Sequence, residues 1–236
     1  MNRFLLIFIM VFFVLSCEKP NPETSFYIWK SNPNLTSNEV EFFQKTQGKN
    51  LYLRVFDVDI DQGRPAPKAI LKNFDSKFID ADYIPVVFIT NDSFKYLSNS
   101  DNQELAQNIF KLVNEIASEF DFDYQEIQID CDWTATTRDD FFSFLKNLSK
   151  VSQKNISSTL RLHQVKYRQQ TGIPPVDKVY LMAYATSNPT EDQDINSILD
   201  QNLLMDYLQN INDYPLDFDI ALPLYSWAIV TNAPRS

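Results

Sequence analysis

The sequence predicts an α/β fold, a (β/α)8 TIM-barrel-like arrangement that is incomplete, with about seven strands. Short apolar runs with strand character alternate with segments whose apolar residues recur at helical spacing. Three of the strand candidates also have one apolar and one polar face, whereas a sheet covered by helices on both sides should be apolar on both. A doubly wound sheet is the alternative, but the polar faces favour a barrel whose interior opens into a pocket.

The elements follow from this alternation along the chain. The strand candidates, rich in aromatic and β-branched residues, span 26–30, 51–57, 83–90, 126–133, 156–163, 178–184 and 218–225. Between them, apolar residues keep helical spacing over 102–120, 141–148 and 198–208. Residues 233–236 do not have the character of an eighth strand, so either the barrel is open or the reading frame is shortened.

The N-terminus predicts export and a lipid anchor. A basic start (1–3) precedes an apolar run (4–15) that is too short to span a bilayer and is typical of a signal-peptide core. The run ends in Val-Leu-Ser-Cys, which resembles the bacterial lipoprotein signal; an ordinary secretory signal is the alternative. We expect a lipidated Cys17 and a bacterial cell-envelope location, lipid-anchored on the periplasmic or surface-exposed side of the outer membrane. The predicted organisation is a signal peptide over 1–17, a Pro-rich flexible tether over 18–25 and one barrel over 26–236.

Composition excludes several classes of function. The net charge of −10 argues against nucleic acid as a partner, because phosphate binding needs a basic patch. The three glycines form no phosphate loop, and neither a CxxC pair nor an HExxH motif is present, so we expect no nucleotide cofactor and no classical zinc site. A metal held by His163 and two aspartates is the weaker alternative, since no spacing specifies it.

Residues 127–134 (Ile-Gln-Ile-Asp-Cys-Asp-Trp-Thr) are the most informative segment. Side chains alternate across a strand, so Asp130 and Asp132 should share a face, roughly 6–7 Å apart. Burying two like charges is costly unless partners or function compensate for the cost. A strand that buries two carboxylates is therefore typical of the floor of a site. The structural alternative is that Arg54 or Arg161 pairs with these aspartates inside the barrel.

The polar faces of three strand candidates define the predicted interior. They comprise Gln128, Asp130 and Asp132, with Thr134 following; Ser157, Thr159, Arg161 and His163; and Tyr52, Arg54 and Phe56. Barrel sites collect at the C-terminal ends of strands. Those ends hold Asp57, Asn91, Asp132, Thr134, His163, Tyr184, Tyr225 and Trp227.

The segment Ile-Asp-Cys-Asp-Trp-Thr resembles the fourth-strand motif of family 18 glycoside hydrolases (chitinases and endo-β-N-acetylglucosaminidases), Asp-x-x-Asp-x-Asp-x-Glu, often with Trp before the Glu. Asp130 and Asp132 match the second and third aspartates. Leu-Met-Ala-Tyr (181–184) is similar to the sixth-strand Met-x-Tyr of the family, and Ala-Leu-Pro-Leu-Tyr (221–225) to its seventh-strand segment, where an aromatic stacks on sugar.

Two positions depart from that motif. Its first aspartate falls at Ile127, and its catalytic glutamate falls at Thr134, whose hydroxyl cannot protonate a glycosidic oxygen. The usual mechanism is therefore not carried over intact. The chain also resembles bacterial lipoproteins with the same barrel and with segments such as Asp-x-Asp-Trp-Thr, Arg-Leu-His-Gln and Leu-Pro-Leu-Tyr-Ser-Trp. That resemblance implies a fold and no assigned activity.

Three functions follow from these observations: a membrane-anchored glycosidase with altered residues, a catalytically inactive glycan-binding barrel, and a structural lipoprotein without a small-molecule site. The first two take carbohydrate as the partner, and the polar strand interiors argue against the third. We predict Asp132 as the acid, with electrostatic support from Asp130. The catalytic candidates are Asp130, Asp132 and Tyr184; the substrate-binding candidates are Arg54, Arg161, His163, Tyr225, Trp227 and Trp29.

Overall fold

The computed structural model describes residues 22–95, 97–188, 196–209 and 211–226. Cys17, the signal peptide and Trp227 lie outside these residues. The sheet comprises β1 (Thr24–Ile28), β2 (Gly48–Asp61), β3 (Arg64–Lys68), β4 (Asp82–Ile89), β5 (Glu126–Asp130), β6 (Asn155–Arg161), β7 (Lys178–Met182) and β8 (Phe218–Ala221). The helices of eight or more residues are α1 (Ser37–Lys45), α2 (Asn99–Glu119) and α3 (Arg138–Ser152); shorter helices are α4 (Leu162–Lys166), α5 (Arg168–Thr171) and α6 (Gln201–Tyr207).

The sheet is of the barrel type. Seven strands run parallel and lie side by side in chain order, while β3 alone is antiparallel and pairs with β2. A doubly wound sheet would reverse its strand order part-way. The hydroxyls of Tyr52 on β2 and Tyr180 on β7 are 2.8 Å apart, although a flat sheet would separate these strands by roughly 19 Å at 4.8 Å per spacing. The sheet therefore curls into a half-barrel, which confirms the predicted class and the seven strands.

The curled sheet has two apolar clusters, one on each side. The outer cluster, between sheet and helices, includes Leu53, Ile129 and Leu181. The inner cluster is built on Tyr52, Ile84, Val86, Tyr180 and Met182. The interior is thus aromatic and apolar in part, and its polar groups are arranged around this packed centre.

Helices pack against the outer side through periodic apolar residues, and their ends are capped locally. Thr36 and Glu39 form a capping box at α1, and Ser98 and Asp101 form one at α2, which satisfies backbone N–H groups that the first turn leaves unpaired. Within the described residues, no helix is both long enough and apolar enough to cross a membrane.

The interior placement predicted for Phe56 is wrong. The pairing of β2 with β4 shifts by one residue between Arg54 and Phe56, a β-bulge that turns both Val55 and Phe56 into the outer core. Beyond the bulge the side chains alternate between the two faces again, but shifted by one position. Asp57 therefore lies on the interior side, as Arg54 does. The sequence signal for the bulge is the adjacent pair of apolar residues, which interrupts the strict alternation before it.

Several strands end earlier than predicted: β1 ends at Ile28, β7 at Met182 and β8 at Ala221, so Tyr184 and Tyr225 follow their strands. β5 stops at Asp130 and β6 at Arg161, because the chain turns into short connecting structure at the rim. Asp132 therefore follows its strand instead of lying within it. His163 lies in α4, which corrects its predicted place at a strand end.

Candidate functional site

Arg161 links the two aspartates at the C-terminal end of the half-barrel. Its Nη2 lies 3.2 Å from Oδ1 of Asp130 and 3.4 Å from Oδ2, and its Nε donates to Oδ1 of Asp132. β5 and β6 are adjacent parallel strands, so their last residues meet at one rim. The structural alternative foreseen for Arg161 is therefore present: a single guanidinium pairs with both carboxylates.

Asp130 is the buried member of this pair of carboxylates. Its side chain is 3% exposed, and Thr159 donates a hydrogen bond of 2.5 Å to its Oδ1 from the neighbouring strand. Burial raises the pKa of Asp130, while Arg161 and the Thr159 hydroxyl oppose the shift. The nearby charges of Asp132 and Asp57 raise the pKa further.

This raised pKa predicts a pH-dependent contribution to stability. In the unfolded chain the pKa of an aspartate is about 3.9. Between that pH and the raised pKa of the folded state, Asp130 therefore binds a proton more readily in the folded protein than in the unfolded chain. The contribution is full below about pH 3.9 and is lost as the pH rises through the folded pKa. We expect the free energy of unfolding of the wild type, minus that of Asp130→Asn, to fall over this window in urea titrations. A difference that rises with pH would contradict the assignment; Glu126, whose pKa burial also raises, is present in both proteins and cancels.

Asp132 occupies a different environment from Asp130. Its side chain is 52% exposed, and it lies at the rim, where a ligand entering from solvent would meet it. One of its oxygens already accepts from Arg161. The position predicted to act as an acid is therefore accessible, but it is engaged in an ion pair.

A buried glutamine holds the rim in place. The backbone N–H of Arg161 donates to Oε1 of Gln164 at 2.8 Å, and Nε2 of Gln164 donates to the backbone carbonyl of Trp133 at 3.1 Å. Gln164 thus ties the end of β6 to the segment that carries Asp132. No local sequence pattern predicts this role of Gln164, although it belongs to the Arg-Leu-His-Gln segment.

Thr134, which the resemblance to family 18 would align with the catalytic glutamate, belongs to a turn that leads into α3. Its hydroxyl lies 2.9 Å from that of Thr136, and its backbone N–H donates to Oγ1 of Thr137 at 3.1 Å. Thr137 in turn donates to Oδ1 of Asn91. This arrangement of hydroxyls supports the turn and supplies no acid.

Arg54 forms a second ion pair in the interior, with Asp57. Nε of Arg54 donates to Oδ1 of Asp57 at 2.6 Å, and Nη1 donates to the backbone carbonyl of Trp29 at 2.7 Å. Residues three apart can pair here only because the bulge in β2 returns them to one side. Arg54 therefore pairs with Asp57 and not with Asp130, and the sequence does not predict this pairing.

Aromatic side chains adjoin the ion pairs. Trp29 follows β1 and stacks on Tyr27, with ring centroids 5.7 Å apart and nearly parallel planes. Tyr184, two residues beyond β7, meets Tyr225 edge-on at 5.8 Å. Burial raises the pKa of Tyr184, and the nearby Arg161 opposes that shift. The structure thus brings together Tyr184, Arg161 and both aspartates.

His163 is exposed on α4, at the outer margin of this group. Partial burial lowers its pKa, an effect that Asp132 opposes and Arg161 adds to, so His163 lies within electrostatic reach of both. Among the residues that the structure describes, no three His, Cys, Asp or Glu side chains are arranged to hold a metal.

The floor beneath the site is a packed polar and aromatic layer, in which the predicted interior residues Gln128 and Tyr52 meet Tyr27 and Tyr180. Tyr27 donates to Oε1 of Gln128 at 2.8 Å and stacks on Tyr52 at 4.6 Å, and Tyr52 donates to the hydroxyl of Tyr180. Nε2 of Gln128 is buried and has no protein partner. This layer fills the interior below Asp130.

The chain resembles solved structures in fold. It superposes on the spore cortex-lytic enzyme SleL of Bacillus megaterium with a TM-score of 0.54 and 15% identity, covering 85% of this chain and 51% of that one. Below a TM-score of 0.5 are a chitinase of Rhizomucor miehei (0.49, 10% identity, 84% and 62% covered) and a xylanase-α-amylase inhibitor protein in complex with trehalose (0.48, 12% identity, 86% and 78% covered). No protein-family model matches the chain, and no similar sequence is found among curated proteins.

These comparisons concern the fold. The likeness to SleL supports a TIM-barrel-like fold, here as a curled half-barrel of seven parallel strands. The chain spans about half of the length of SleL and about three fifths of that of the chitinase. Identity at this level carries no activity or substrate from one protein to another.

Proposed function

We propose that this chain is a lipid-anchored, glycoside-hydrolase-like barrel that binds carbohydrate at its rim without cleaving it. The observation that carries the proposal is the ion-pair arrangement of Arg161 with Asp130 and Asp132, next to the aromatic rings of Tyr184 and Tyr225. Sugar rings offer hydroxyls for charged hydrogen-bonding groups and apolar faces for aromatic rings. A rim with both kinds of group in close contact suits such a ligand.

The same geometry argues against hydrolysis. Glycosidic cleavage requires a protonated acid beside the leaving oxygen and a second carboxylate in support. Here Thr134 occupies the acid position, Asp130 is closed off from solvent, and Asp132 accepts from Arg161. The carboxylates of Asp130 and Asp132 are therefore both paired with the guanidinium of Arg161.

A glycosidase with altered residues is the second candidate function, and one observation favours it. Burial and neighbouring negative charges raise the pKa of Asp130, the type of perturbation found in catalytic acids. Asp130 would need Arg161 to move before a substrate could reach it. The raised pKa would then make Asp130 the proton donor, with Asp132 in support, which is the reverse of the roles that the sequence predicts.

The test uses protein that starts at Glu18, together with Tyr184→Ala and Asp132→Asn variants. Each would be incubated with N-acetylhexosamine oligomers, N-glycans and host polysaccharides; binding would be measured by calorimetry and products by mass spectrometry. We expect the wild type to bind at least one glycan without forming product. We expect Tyr184→Ala to bind it at least tenfold more weakly, about 1.4 kcal/mol, because the ring beside the ion pairs is lost.

Each other outcome has a defined meaning. Product formed by the wild type and not by Asp132→Asn would replace the binding proposal with the glycosidase. Absence of binding to every glycan by folded protein would contradict both. Tyr225→Ala is the matched control, which removes the second ring. Because Tyr225 is more exposed than Tyr184, its loss should weaken glycan binding less.

A further inference from the structure

The seven parallel strands begin at one end of the half-barrel, here termed the base, and finish at the rim. β1 begins at Thr24, which pairs with Gly48 at the start of β2. The site lies at the other end: Asp130 and Arg161 are the last residues of their strands. The chain between the predicted lipid anchor and the domain therefore enters at the base, opposite the site.

The reach of this connection is short. Seven residue steps separate Cys17 from Thr24. A fully extended chain spans at most about 3.6 Å per residue, so Thr24 can stand no further than roughly 25 Å from the acylated cysteine.

The rim stands further from Thr24 than this reach. β2 is 14 residues long in all and continues past the site. It then folds back through Gln62 and Gly63 into β3, so the hairpin formed by the end of β2 and β3 projects beyond Asp57. At about 3.3 Å per residue, Asp61 lies roughly 43 Å along the strand from Gly48. Asp57 lies level with Asp130 across β4, which places the hairpin end roughly 13 Å beyond the site.

We infer that the site opens away from the membrane that holds the anchor. If the rim faced that membrane, the hairpin would be the first part to touch it. Because barrel strands tilt by about 36° to the barrel axis, Thr24 would stand roughly 35 Å above the surface, beyond the roughly 25 Å that the tether spans. This inference rests on the proposed function and its lipid anchor, and it narrows the class of glycan that the site can reach. The site takes glycan chains that arrive from the side opposite the anchoring membrane, not the sugar headgroups of lipids in that membrane.

Fluorescence quenching tests the orientation with the full-length lipidated protein. A donor dye would be attached to Asp123→Cys, exposed at the base before β5, or to Arg64→Cys, exposed on the hairpin. The protein would be reconstituted in phosphatidylethanolamine–phosphatidylglycerol vesicles containing rhodamine-labelled phosphatidylethanolamine. We expect the base dye to be quenched several-fold more strongly than the hairpin dye.

Controls separate orientation from anchoring and from glycan binding. The parent protein should take up little dye, because Cys131 is buried, and Cys17→Ser carrying either dye should leave the vesicles unbound and the dye unquenched. Equal quenching of the two dyes, stronger quenching of the hairpin dye, or vesicle binding by Cys17→Ser would overturn the inference. Quenching does not depend on sugar, so a failure to bind any glycan would refute the proposed function alone.

Discussion

Replacing Arg161 by leucine is expected to lower the free energy of unfolding by about 3–5 kcal/mol, because it leaves the buried carboxylate of Asp130 without its charged partner. Arg161 is itself mostly enclosed, with 23% of its side chain exposed. Urea unfolding at pH 7, followed by tryptophan fluorescence, measures the change. We also expect the loss to be smaller at acidic pH, where Asp130 can take up a proton.

Matched variants distinguish charge from packing. Asp132→Asn removes the other partner of the same guanidinium, but at a half-exposed position, so it should cost no more than about 1 kcal/mol. The double change Arg161→Leu with Asp130→Leu removes both buried charges and should recover most of the lost stability. If Arg161→Leu proved as mild as Asp132→Asn, the ion pair with Asp130 would have no structural importance.

Trp133→Ala is expected to cost about 3–5 kcal/mol, the range for truncating a large buried aromatic. The ring is fully buried, stacks on Phe141 with centroids 5.0 Å apart, and donates through Nε1 to the backbone carbonyl of Thr171 at 2.9 Å. Because Trp133 stands between Asp132 and Thr134, its loss should also weaken any glycan bound at the rim.

The control for this variant is Trp133→Phe, which keeps a six-membered ring in the outer core while it removes the hydrogen bond and the rest of the indole. That change should cost less than the truncation, with about 1 kcal/mol due to the lost bond. Thermal unfolding of both variants, with a glycan-binding measurement at a temperature where each is folded, checks the expectation. Unchanged stability of Trp133→Ala would mean that the rim segment is held by other contacts, such as those of Gln164.

The arrangement of the site explains why the family motif is an incomplete guide here. Asp130, Asp132 and Trp133 are all present, yet the tryptophan serves the outer core and the aspartates serve one arginine. The chemistry of the rim therefore depends on Arg161, a residue outside that motif. A carboxylate that is paired in this way is better placed to hold a ligand hydroxyl than to donate a proton.

Several features could be predicted because they depend on local pattern. The seven parallel strands follow from the alternation of strand and helix candidates along the chain. The polar and apolar faces, and the position of Asp130 on the interior side, follow from a period of two residues. The α2 helix, predicted over 102–120 and found at Asn99–Glu119, follows from its apolar spacing. Asp130, Asp132, Arg161 and Tyr184 lie together because parallel strands end at one rim, and their roles in a site stay predictions.

Other features could not be predicted because they depend on contacts between distant segments. The bulge that moves Phe56 outward and pairs Arg54 with Asp57 arises from the register of β2 against β4. Which arginine would meet the aspartates was likewise open, and β6, not β2, proved to be the neighbour of β5. The hydrogen bonds of Gln164 bridge two connections whose approach no local pattern reveals.

The sequence by itself therefore determined the class of fold, the two aspartates and the absence of an acid at Thr134, since these depend on residue type and spacing along the chain. Only the tertiary structure decided that Arg161 pairs with both aspartates, that Asp130 is buried while Asp132 is exposed, and that the floor is closed by tyrosines. The physical reason is that burial and ion pairing depend on the curvature of the sheet. That curvature brings β2 and β7 into contact, and it is a property of all seven strands together.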